Sequence, residues 1–362
     1  MYTTENIGSI AEFFRLYQNK KVIFIVSTIF NDTRFYEQTL DSIWNQEDSG
    51  CPVLYLVKDA STSRECFDLI NTYVSKNKPI SPEFTCLYSH KLDTGMYEGL
   101  SQSFDFITSL ELHEKSLITY INGDDVLMPY SNKIALSACH QNNIDWITGC
   151  PRVIDESNRI VFNSSLVFSS SDILNHLNDG RSGPFIQQEG TYWTLALYNK
   201  VRGLDASLKF AGDYDLWQQF AELSTIYTLT EPTASFRIRS GQKSENVDAY
   251  YQELDRKQCD YKNPFPSNIV EKNHNKPRIG YSVNFSFPHF IDKLVNIGNS
   301  LSPQFEYYSD PNFCYVQPLS SFKNTEKRLA IFPLIDGDKE SIQPGASSHN
   351  INSSVDDYYW YK

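Results

Sequence analysis

The sequence lacks the features that mark several common protein classes. No apolar run approaches the ~18 consecutive residues that a membrane-spanning helix needs. The seven cysteines are scattered, odd in number and without a CxxC pair, so neither a disulfide framework nor a thiolate zinc site is indicated. The histidines show no HExxH spacing, and neither a GxGxxG nor a P-loop pattern occurs, which argues against zinc-protease, dehydrogenase and kinase chemistry.

Positive charge is also scarce. The 362 residues contain 32 Lys and Arg against 44 Asp and Glu, a formal net charge of −12. Nucleic-acid binding normally demands a basic face, so a nucleic-acid partner is not expected, and a small phosphate ligand would need a local cation, a metal ion or a helix N-terminus. The acidic N-terminal segment does not resemble a secretory leader, so we expect a cytoplasmic location.

Apolar strand patterns alternate with amphipathic helix patterns through the first 150 residues. The first strand pattern, Val22–Val26, is continuously apolar, as expected for a strand that is buried on both faces of a parallel sheet. Asn31, Asp32 and Thr33 offer caps for the helix that follows it. This order predicts an α/β fold with a mostly parallel central sheet, and it predicts ligands beyond the carboxyl ends of the strands. The further predicted strands are 53–57, 84–88, 117–121 and 144–148, and the further helices are near 64–74, 96–107 and 132–139.

Acidic residues follow several of these strands. Asp59 and Asp93 each come after a strand pattern, although turns and helix caps account for most isolated aspartates. Asp124 and Asp125 are adjacent and directly follow an apolar strand, so they repel each other unless a cation or hydrogen-bond donors lie between them. A Mg²⁺ or Mn²⁺ ion would supply the positive charge between the two carboxylates. The alternative is that Asp124 and Asp125 lie in a solvated turn and bind no ion.

The ordered set of motifs between residues 21 and 244 resembles the family 2 glycosyltransferases of the GT-A fold. Ile121-Asn-Gly-Asp-Asp125 looks like the metal motif of that family, and Ala211-Gly-Asp-Tyr-Asp-Leu-Trp217 resembles the helix start that carries its catalytic acidic residue. Further segments that resemble family motifs are Val26–Asp32, Lys58–Ser63, Ser89–Glu98, Gln187–Trp193 and Gly203–Leu208.

The resemblance implies an inverting transfer of a hexosyl or N-acetylhexosaminyl group, in the manner of bacterial polysaccharide biosynthesis. The donor would be a nucleotide-sugar, with a UDP-sugar expected, and the acceptor a glycan or a lipid-linked glycan. Asp213 would be the catalytic base and Asp125 the ligand of Mn²⁺ or Mg²⁺. The implied nucleotide-sugar contacts are Thr28, Phe30, Asn31, Asp59, Asp93, Asp124, Arg237 and Arg239, and the implied acceptor or sugar contacts are Gln188, Glu189 and Trp193.

Some of these residues could have a structural role in place of a functional one, and the chain departs from the family motifs in places. Asp213 could be only a helix cap, and Asp215 is expected to cap or brace the same helix. Large aromatic residues near helices usually lie in the core, which we expect for Trp217, whereas Trp193 beside Glu189 is the better candidate for stacking on a sugar.

The segment 236–243 is rich in cations and has a glycine at 241, which suits a loop that closes over a phosphate group. The alternative for this segment is a solvated basic turn. Gly99–Ser103 lacks the cation that relatives carry there.

The sequence after residue 244 changes character. We predict a catalytic domain over residues 1–244 and a C-terminal extension over 245–362. Aromatic residues at 285, 287 and 290 and in the tail 358–361 fit a surface that contacts an acceptor, a partner or a membrane. Contact with a membrane would make the protein peripheral to it. The alternative is that these residues form a small separate core. One alternative function is a catalytically silent protein of the same fold that binds sugar nucleotides or glycans. The other is a nucleotidyltransferase, which would be expected to have a Gly-rich basic turn after the first strand.

Overall fold

The computed structural model describes residues 17, 19–163, 167–181, 184–229 and 231–260, together with three short strands between residues 279 and 316. The predicted aromatic contact regions at 285–290 and 358–361 lie outside the described residues. Within the described ranges, no helix combines the length and the apolar character that crossing a bilayer would require.

Helices and strands alternate along the first half of the described chain. The helices are α1 (Tyr36–Trp44), α2 (Glu65–Lys76), α3 (Met96–Ser109), α4 (Ser131–Asn142), α5 (Ser170–Leu174), α6 (Leu195–Tyr198), α7 (Gly212–Leu223) and α8 (Val247–Asp260). The strands are β1 (Ile23–Ile29), β2 (Val53–Asp59), β3 (Phe84–His90), β4 (Leu117–Asn122), β5 (Val126–Leu127), β6 (Trp146–Thr148), β7 (Arg152–Ile154), β8 (Ile160–Asn163), β9 (Tyr192–Thr194), β10 (Tyr227–Thr228), β11 (Ala234–Arg237), β12 (Ile279–Ser282), β13 (Tyr308–Asp310) and β14 (Phe313–Val316).

The central sheet has seven strands in the order β10-β6-β9-β4-β1-β2-β3. Strands β1 to β4 are mutually parallel, and β9 is the antiparallel member, pairing with β4 and β6. Every residue of β2 is buried, as are six of the seven in β1, which is why residues 22–26 and 53–57 read as continuous apolar runs. The predicted α/β fold with a mostly parallel central sheet is therefore confirmed.

The remaining described strands form two smaller sheets. One has the order β5-β11-β7-β8 and places the end of β11 beside the turn that follows β4. The other consists of β12, β14 and β13, all antiparallel, within the predicted C-terminal extension.

Most predicted elements agree with the structure, but one predicted helix cap is wrong. Helix α1 begins after Phe35, and no side chain caps it; the amide of Tyr36 donates to the carbonyl oxygen of Thr33 instead. The side chain of Asn31 accepts hydrogen bonds from the amide and hydroxyl of Thr62, and that of Asp32 pairs with Arg34. These loop contacts use the polar groups that the sequence offered as caps.

Helix α8 packs against the same core as the sheet, although it follows the predicted boundary at residue 244. Leu254 is buried in the cluster that includes the aromatic residues of α7. The Glu253 carboxylate accepts hydrogen bonds from the backbone amides of Lys209, Phe210 and Ala211, directly before α7. Helix α8 therefore holds the backbone of residues 209–211, which leads into the helix that carries the predicted base.

Candidate functional site

The candidate site lies at the carboxyl edge of the central sheet. Strands β1, β2 and β4 run parallel and end together, so the loops after them face the same side. Four acidic residues lie near enough to this edge to repel one another: Asp124 and Glu189 raise the pKa of Asp125, and Asp213 and Asp124 raise that of Glu189. Residues from three separate parts of the chain thus form one acidic cluster.

Asp125 is fully buried at the turn after β4. One carboxylate oxygen, Oδ1, accepts a hydrogen bond from the backbone amide of Arg237 at 2.8 Å, and Oδ2 accepts one from the side-chain amide of Asn122 at 3.2 Å. Burial, and then repulsion from Glu189 and Asp124, raises the pKa of Asp125 well above its usual value. A cation beside this carboxyl group would favour its ionised form.

Arg237 is locked into the framework of this turn and does not reach out toward a ligand. It is fully buried, and its guanidinium nitrogens donate to the carbonyl oxygens of Asp124 and Asp155 and to the side chain of Gln38, at 2.7–2.9 Å. Its guanidinium carbon lies 4.5 Å from the ring centroid of Phe35. The predicted contact of Arg237 with the diphosphate is not supported by this geometry, because all three guanidinium nitrogens are already engaged.

Arg239 lies at the surface of the cluster. Its Nε donates to Oδ2 of Asp124 at 2.6 Å, and its Nη1 lies 3.4 Å from Oδ2 of Asp32. The guanidinium group is thus shared between two carboxylates that belong to different loops. Its predicted contact with the donor stays a prediction, and a phosphate would compete with both carboxylates for it.

Glu189 contributes the most unusual carboxyl group of the cluster. It is buried, and its Oε1 has no hydrogen-bond partner in the described part of the chain. Burial raises the pKa of Glu189 to about 8, and repulsion from Asp213 and Asp124 acts in the same direction. The following residue, Gly190, has a φ of 73°, and a Cβ there would lie 2.4 Å from Oγ1 of Thr233. Glycine is required for this turn, which presents Glu189 to the cluster.

Asp213 occupies the first turn of α7, at the edge of the cluster. The hydroxyl oxygen of Tyr97 lies 3.1 Å from its Oδ1 and 2.9 Å from the carbonyl oxygen of Phe210. Helix α7 has Ala211 as its N-cap, so Asp213 is not the capping residue. Burial raises the pKa of Asp213, while the amide of Tyr214, the Tyr97 hydroxyl and the Lys243 ammonium oppose that rise. Tyr97 lies in the segment Ser89–Glu98, which resembles a family motif, but the sequence did not predict its contact with Asp213.

The first residue of α7 has to be small for Tyr97 to reach Asp213. A Cβ on Gly212 would lie 2.8 Å from carbon atoms of the Tyr97 ring. The glycine that the chain carries between Ala211 and Asp213 therefore lets the ring pack against the helix start. Asp215, as expected, braces the helix: it accepts from the side chain of Gln219 and pairs with Lys257.

Asp59 is a structural brace in this fold. The carboxylate is fully buried; its Oδ1 accepts from the amide of Ser61 at 2.8 Å, and its Oδ2 accepts from the hydroxyl of Tyr88 at 2.5 Å. Both oxygens therefore have partners inside the protein. The predicted contact of Asp59 with a nucleotide base is not supported by this arrangement.

Asp93 is held by a lysine that the sequence analysis missed. Lys58 is almost fully buried, and its ammonium lies 3.2 Å from Oδ2 of Asp93 and donates to the carbonyl oxygen of Lys91. A Cβ on Gly99 would lie 2.7 Å from the same carboxylate oxygen, so the glycine leaves room for the pair. A lysine inside an otherwise apolar strand was the available signal, because a buried ammonium needs a partner.

The predicted nucleotide contacts at the end of β1 and just after it include the exposed residues Phe30 and Asn31. Thr28 is half-buried, whereas Phe30 is 64% exposed. Asn31 follows with a φ of 53°, and its side chain ties this loop to Thr62 in the loop after β2. An exposed aromatic ring at the carboxyl edge is available for stacking, and these three contacts stay predictions.

Two of the predicted acceptor contacts lie in the core. Trp193 is 0% exposed, and its ring centroid lies 5.7 Å from that of Phe104 and 5.6 Å from that of Trp217. Gln188 is buried and accepts a hydrogen bond from the hydroxyl of Tyr120. Trp193 lies in β9, an interior strand of the sheet, whereas Gln188 precedes β9 and is held by Tyr120. The predicted acceptor contacts of these two residues are not supported by this burial. Trp217 is buried, as predicted.

This burial gives a direct test of the role of Trp193. We expect Trp193→Ala to lower the free energy of unfolding by about 3–5 kcal/mol, as is typical when a large buried aromatic is removed. Denaturant unfolding of the variant and of the wild type measures this difference. A variant of unchanged stability with a selective loss of acceptor affinity would contradict the core assignment.

The acidic cluster suits a divalent cation that is shared with a ligand. No group of three or more His, Cys, Asp or Glu side chains in the described ranges could hold a metal ion alone. Mg²⁺ is usually bound by one or two carboxylates together with substrate phosphates, and Mn²⁺ accepts the same oxygen ligands. Asp125 has lone pairs beyond its two hydrogen bonds, and Glu189 has an unpartnered oxygen. The residues present therefore fit such an ion.

Comparison with known proteins gives similarities in structure alone. No protein-family profile matches the chain, and no curated protein matches it by sequence. Among solved structures, the chain is similar to a fragment of S. aureus TarS in complex with UDP-GlcNAc, at 17% identity and a TM-score of 0.45 over 62% of this chain and 61% of that one.

A second similarity is to another solved structure. The mannosyltransferase PcManGT from Pyrobaculum calidifontis, in complex with GDP-Man and Mn²⁺, matches at 12% identity and a TM-score of 0.43 over 66% of this chain and 65% of that one. The chain thus spans less than two thirds of the length of these solved proteins.

Proposed function

We propose that this protein is an inverting glycosyltransferase that moves a sugar from a nucleotide-sugar, a UDP-sugar in the first instance, to a hydroxyl group of a glycan or lipid-linked acceptor. The observation that carries the proposal is the convergence of Asp124, Asp125, Glu189 and Asp213 at the carboxyl edge of a mostly parallel sheet. Ligands of open α/β sheets bind at this edge. The order of the family motifs supports the same function.

Asp213 is the proposed general base. An alcohol is a poor nucleophile at neutral pH, so a carboxylate within hydrogen-bond reach helps by accepting its proton. The acceptor oxygen forms a bond to the anomeric carbon, the bond from that carbon to the diphosphate oxygen breaks, and the nucleoside diphosphate leaves with the electron pair. Attack opposite the leaving group inverts the anomeric configuration, as in an inverting glycosidase. The Tyr97 hydroxyl orients the Asp213 carboxylate for this step.

Asp125, which feels the negative charge of the buried Glu189, is the proposed site of Mn²⁺ or Mg²⁺. A divalent cation at this position would supply charge neutralisation for the departing diphosphate. Asp124 and Arg239 form an ion pair at the mouth of the cluster, where the ribose and phosphates of a donor would approach. Arg237 holds the turn that carries both aspartates and so fixes their separation.

A panel of sugar nucleotides tests the proposal. We expect at least one UDP- or GDP-linked hexose or N-acetylhexosamine to raise the unfolding temperature in the presence of Mn²⁺, because a ligand that binds only the folded state stabilises it. The purified protein should also hydrolyse that donor slowly, above a blank that contains only Mn²⁺. Binding without any hydrolysis or transfer would favour the silent sugar-nucleotide-binding alternative. Formation of UTP or GTP and a sugar 1-phosphate from the sugar nucleotide when inorganic pyrophosphate is added would favour a nucleotidyltransferase.

A further inference from the structure

One cation at the candidate site has no assigned role. Lys243 begins a short 3₁₀ turn, Lys243–Glu245, just after Gly241, whose φ is 76°. The residue as a whole is exposed, but its ammonium nitrogen lies 5.1 Å from the ring centroid of Tyr97 and 5.4 Å from that of Phe210. These two residues also supply the hydroxyl and the carbonyl group beside Asp213. Lys243 therefore lies at the proposed base.

The ammonium group of Lys243 is held by rings and not by an anion. Within the described ranges it makes no hydrogen bond or ion pair, and the charges that act on it are those of Asp213, Glu253 and Lys209. Ring faces attract a cation but leave its three N–H donors without acceptors. Burial lowers the pKa of Lys243, so an anion bound at the ammonium would stabilise its charged form.

The neighbouring cations on the same segment are already committed. Arg237 uses all three of its guanidinium nitrogens inside the protein, and Arg239 is shared between Asp124 and Asp32. Lys243 is thus the cation of residues 237–243 whose charged group forms no hydrogen bond or ion pair in the described structure. A diphosphate brings negative charge to a cluster of four carboxylates, so it needs such a cation.

We propose that Lys243 is a donor-binding residue whose ammonium group hydrogen-bonds a phosphate oxygen of the nucleoside diphosphate. The inference rests on the proposed function and adds to it a residue that the family motifs did not assign. Because Lys243 also lies beside Asp213, it would join the phosphate end of the donor to the position of the base.

Nucleoside diphosphate binding tests this assignment. Calorimetric titration with UDP and with GDP, each in the presence of Mn²⁺, is compared for wild type, Lys243→Met, Lys243→Arg and Lys209→Met. Hydrogen bonds to charged groups are worth roughly 1.5–3 kcal/mol, so we expect Lys243→Met to weaken binding of the nucleotide that the wild type takes by about ten- to a hundredfold. Lys243→Arg should restore most of the affinity, since it retains the charge. Lys209→Met removes a nearby exposed lysine and should bind like the wild type.

Two further measurements separate the possible outcomes. The corresponding nucleoside, which has no phosphate, should bind wild type and Lys243→Met equally, and circular dichroism should show that all variants are folded. A folded Lys243→Met variant that binds the diphosphate as tightly as the wild type would overturn the inference and leave the proposed function standing. A change in the KM for the acceptor of Lys243→Met, with no change in its nucleotide affinity, would also overturn the inference and leave the proposed function standing. A wild-type protein that binds neither UDP nor GDP would overturn both.

Discussion

Asp213→Asn should lower kcat by about 10² to 10⁴ while nucleotide affinity stays close to that of the wild type, as is typical for the loss of a general base. The asparagine side chain keeps the size of the carboxylate and an oxygen that can accept from Tyr97, but it cannot take the proton of the attacking hydroxyl. Steady-state transfer rates, with donor binding measured separately by calorimetry, give the two quantities.

The pH profile gives a second signature of the same residue. Because burial raises the pKa of Asp213, the carboxylate becomes protonated at a higher pH than an ordinary aspartate does. The base is therefore lost as the pH falls through that raised pKa, and kcat should decrease on the acidic side accordingly. In Asp213→Asn the residual rate should lose the part of this acidic limb that Asp213 contributes, whereas the part that comes from protonation of Asp125 and Glu189 should remain.

Asp215→Asn is the matched control on the same helix. Asp215 pairs with Lys257 and accepts from Gln219, so its loss should lower the free energy of unfolding by about 1–3 kcal/mol and leave the acidic limb of the pH profile in place. Near-normal turnover of Asp213→Asn, or a product that retains the anomeric configuration of the donor, would show that Asp213 is not the base of an inverting reaction.

The sheet was predictable because strands that are buried on both faces leave a strong signal. Five of the seven residues in each of Ile23–Ile29 and Val53–Asp59 are apolar, and the helices between the strands carry apolar residues at helical spacing. The antiparallel strand Tyr192–Thr194 was harder to predict, because three residues give no periodicity. Its insertion between two other strands buries Trp193, which the sequence alone could not reveal.

Predictions for the site depended on whether each polar side chain already had a partner in the protein. Arg237 sits on a segment rich in cations, yet its partners, the Asp124 carbonyl and Gln38, are far away in sequence. Asp59 likewise finds Tyr88 on the next strand. Such pairs form through the packing of distant segments, so motif spacing cannot distinguish a ligand contact from an internal brace.

Asp125→Ala should abolish metal-stimulated transfer, with a loss of about 10² to 10³ in kcat, because stabilisation of transition-state charge by a metal ion is worth several kcal/mol. The wild type should lose activity in EDTA and regain it with Mn²⁺ or Mg²⁺. Neither ion should restore the variant. Thermal shift with UDP and Mn²⁺ provides a readout that does not depend on turnover, since the variant should lose the part of the stabilisation that requires the ion.

The controls for Asp125 must separate ligation from folding, because its carboxylate also accepts the amide of Arg237. Asp125→Asn keeps an acceptor for that amide and should fold like the wild type, yet it removes the charge that a divalent ion needs. Asp32→Asn changes a carboxylate at the mouth of the same cluster, where it pairs with Arg239, and should keep the response to Mn²⁺. If Asp125→Asn retained full activity in the presence of chelator, the carboxylate would have no part in binding a metal, and the raised pKa of Asp125 would reflect burial and its acidic neighbours alone.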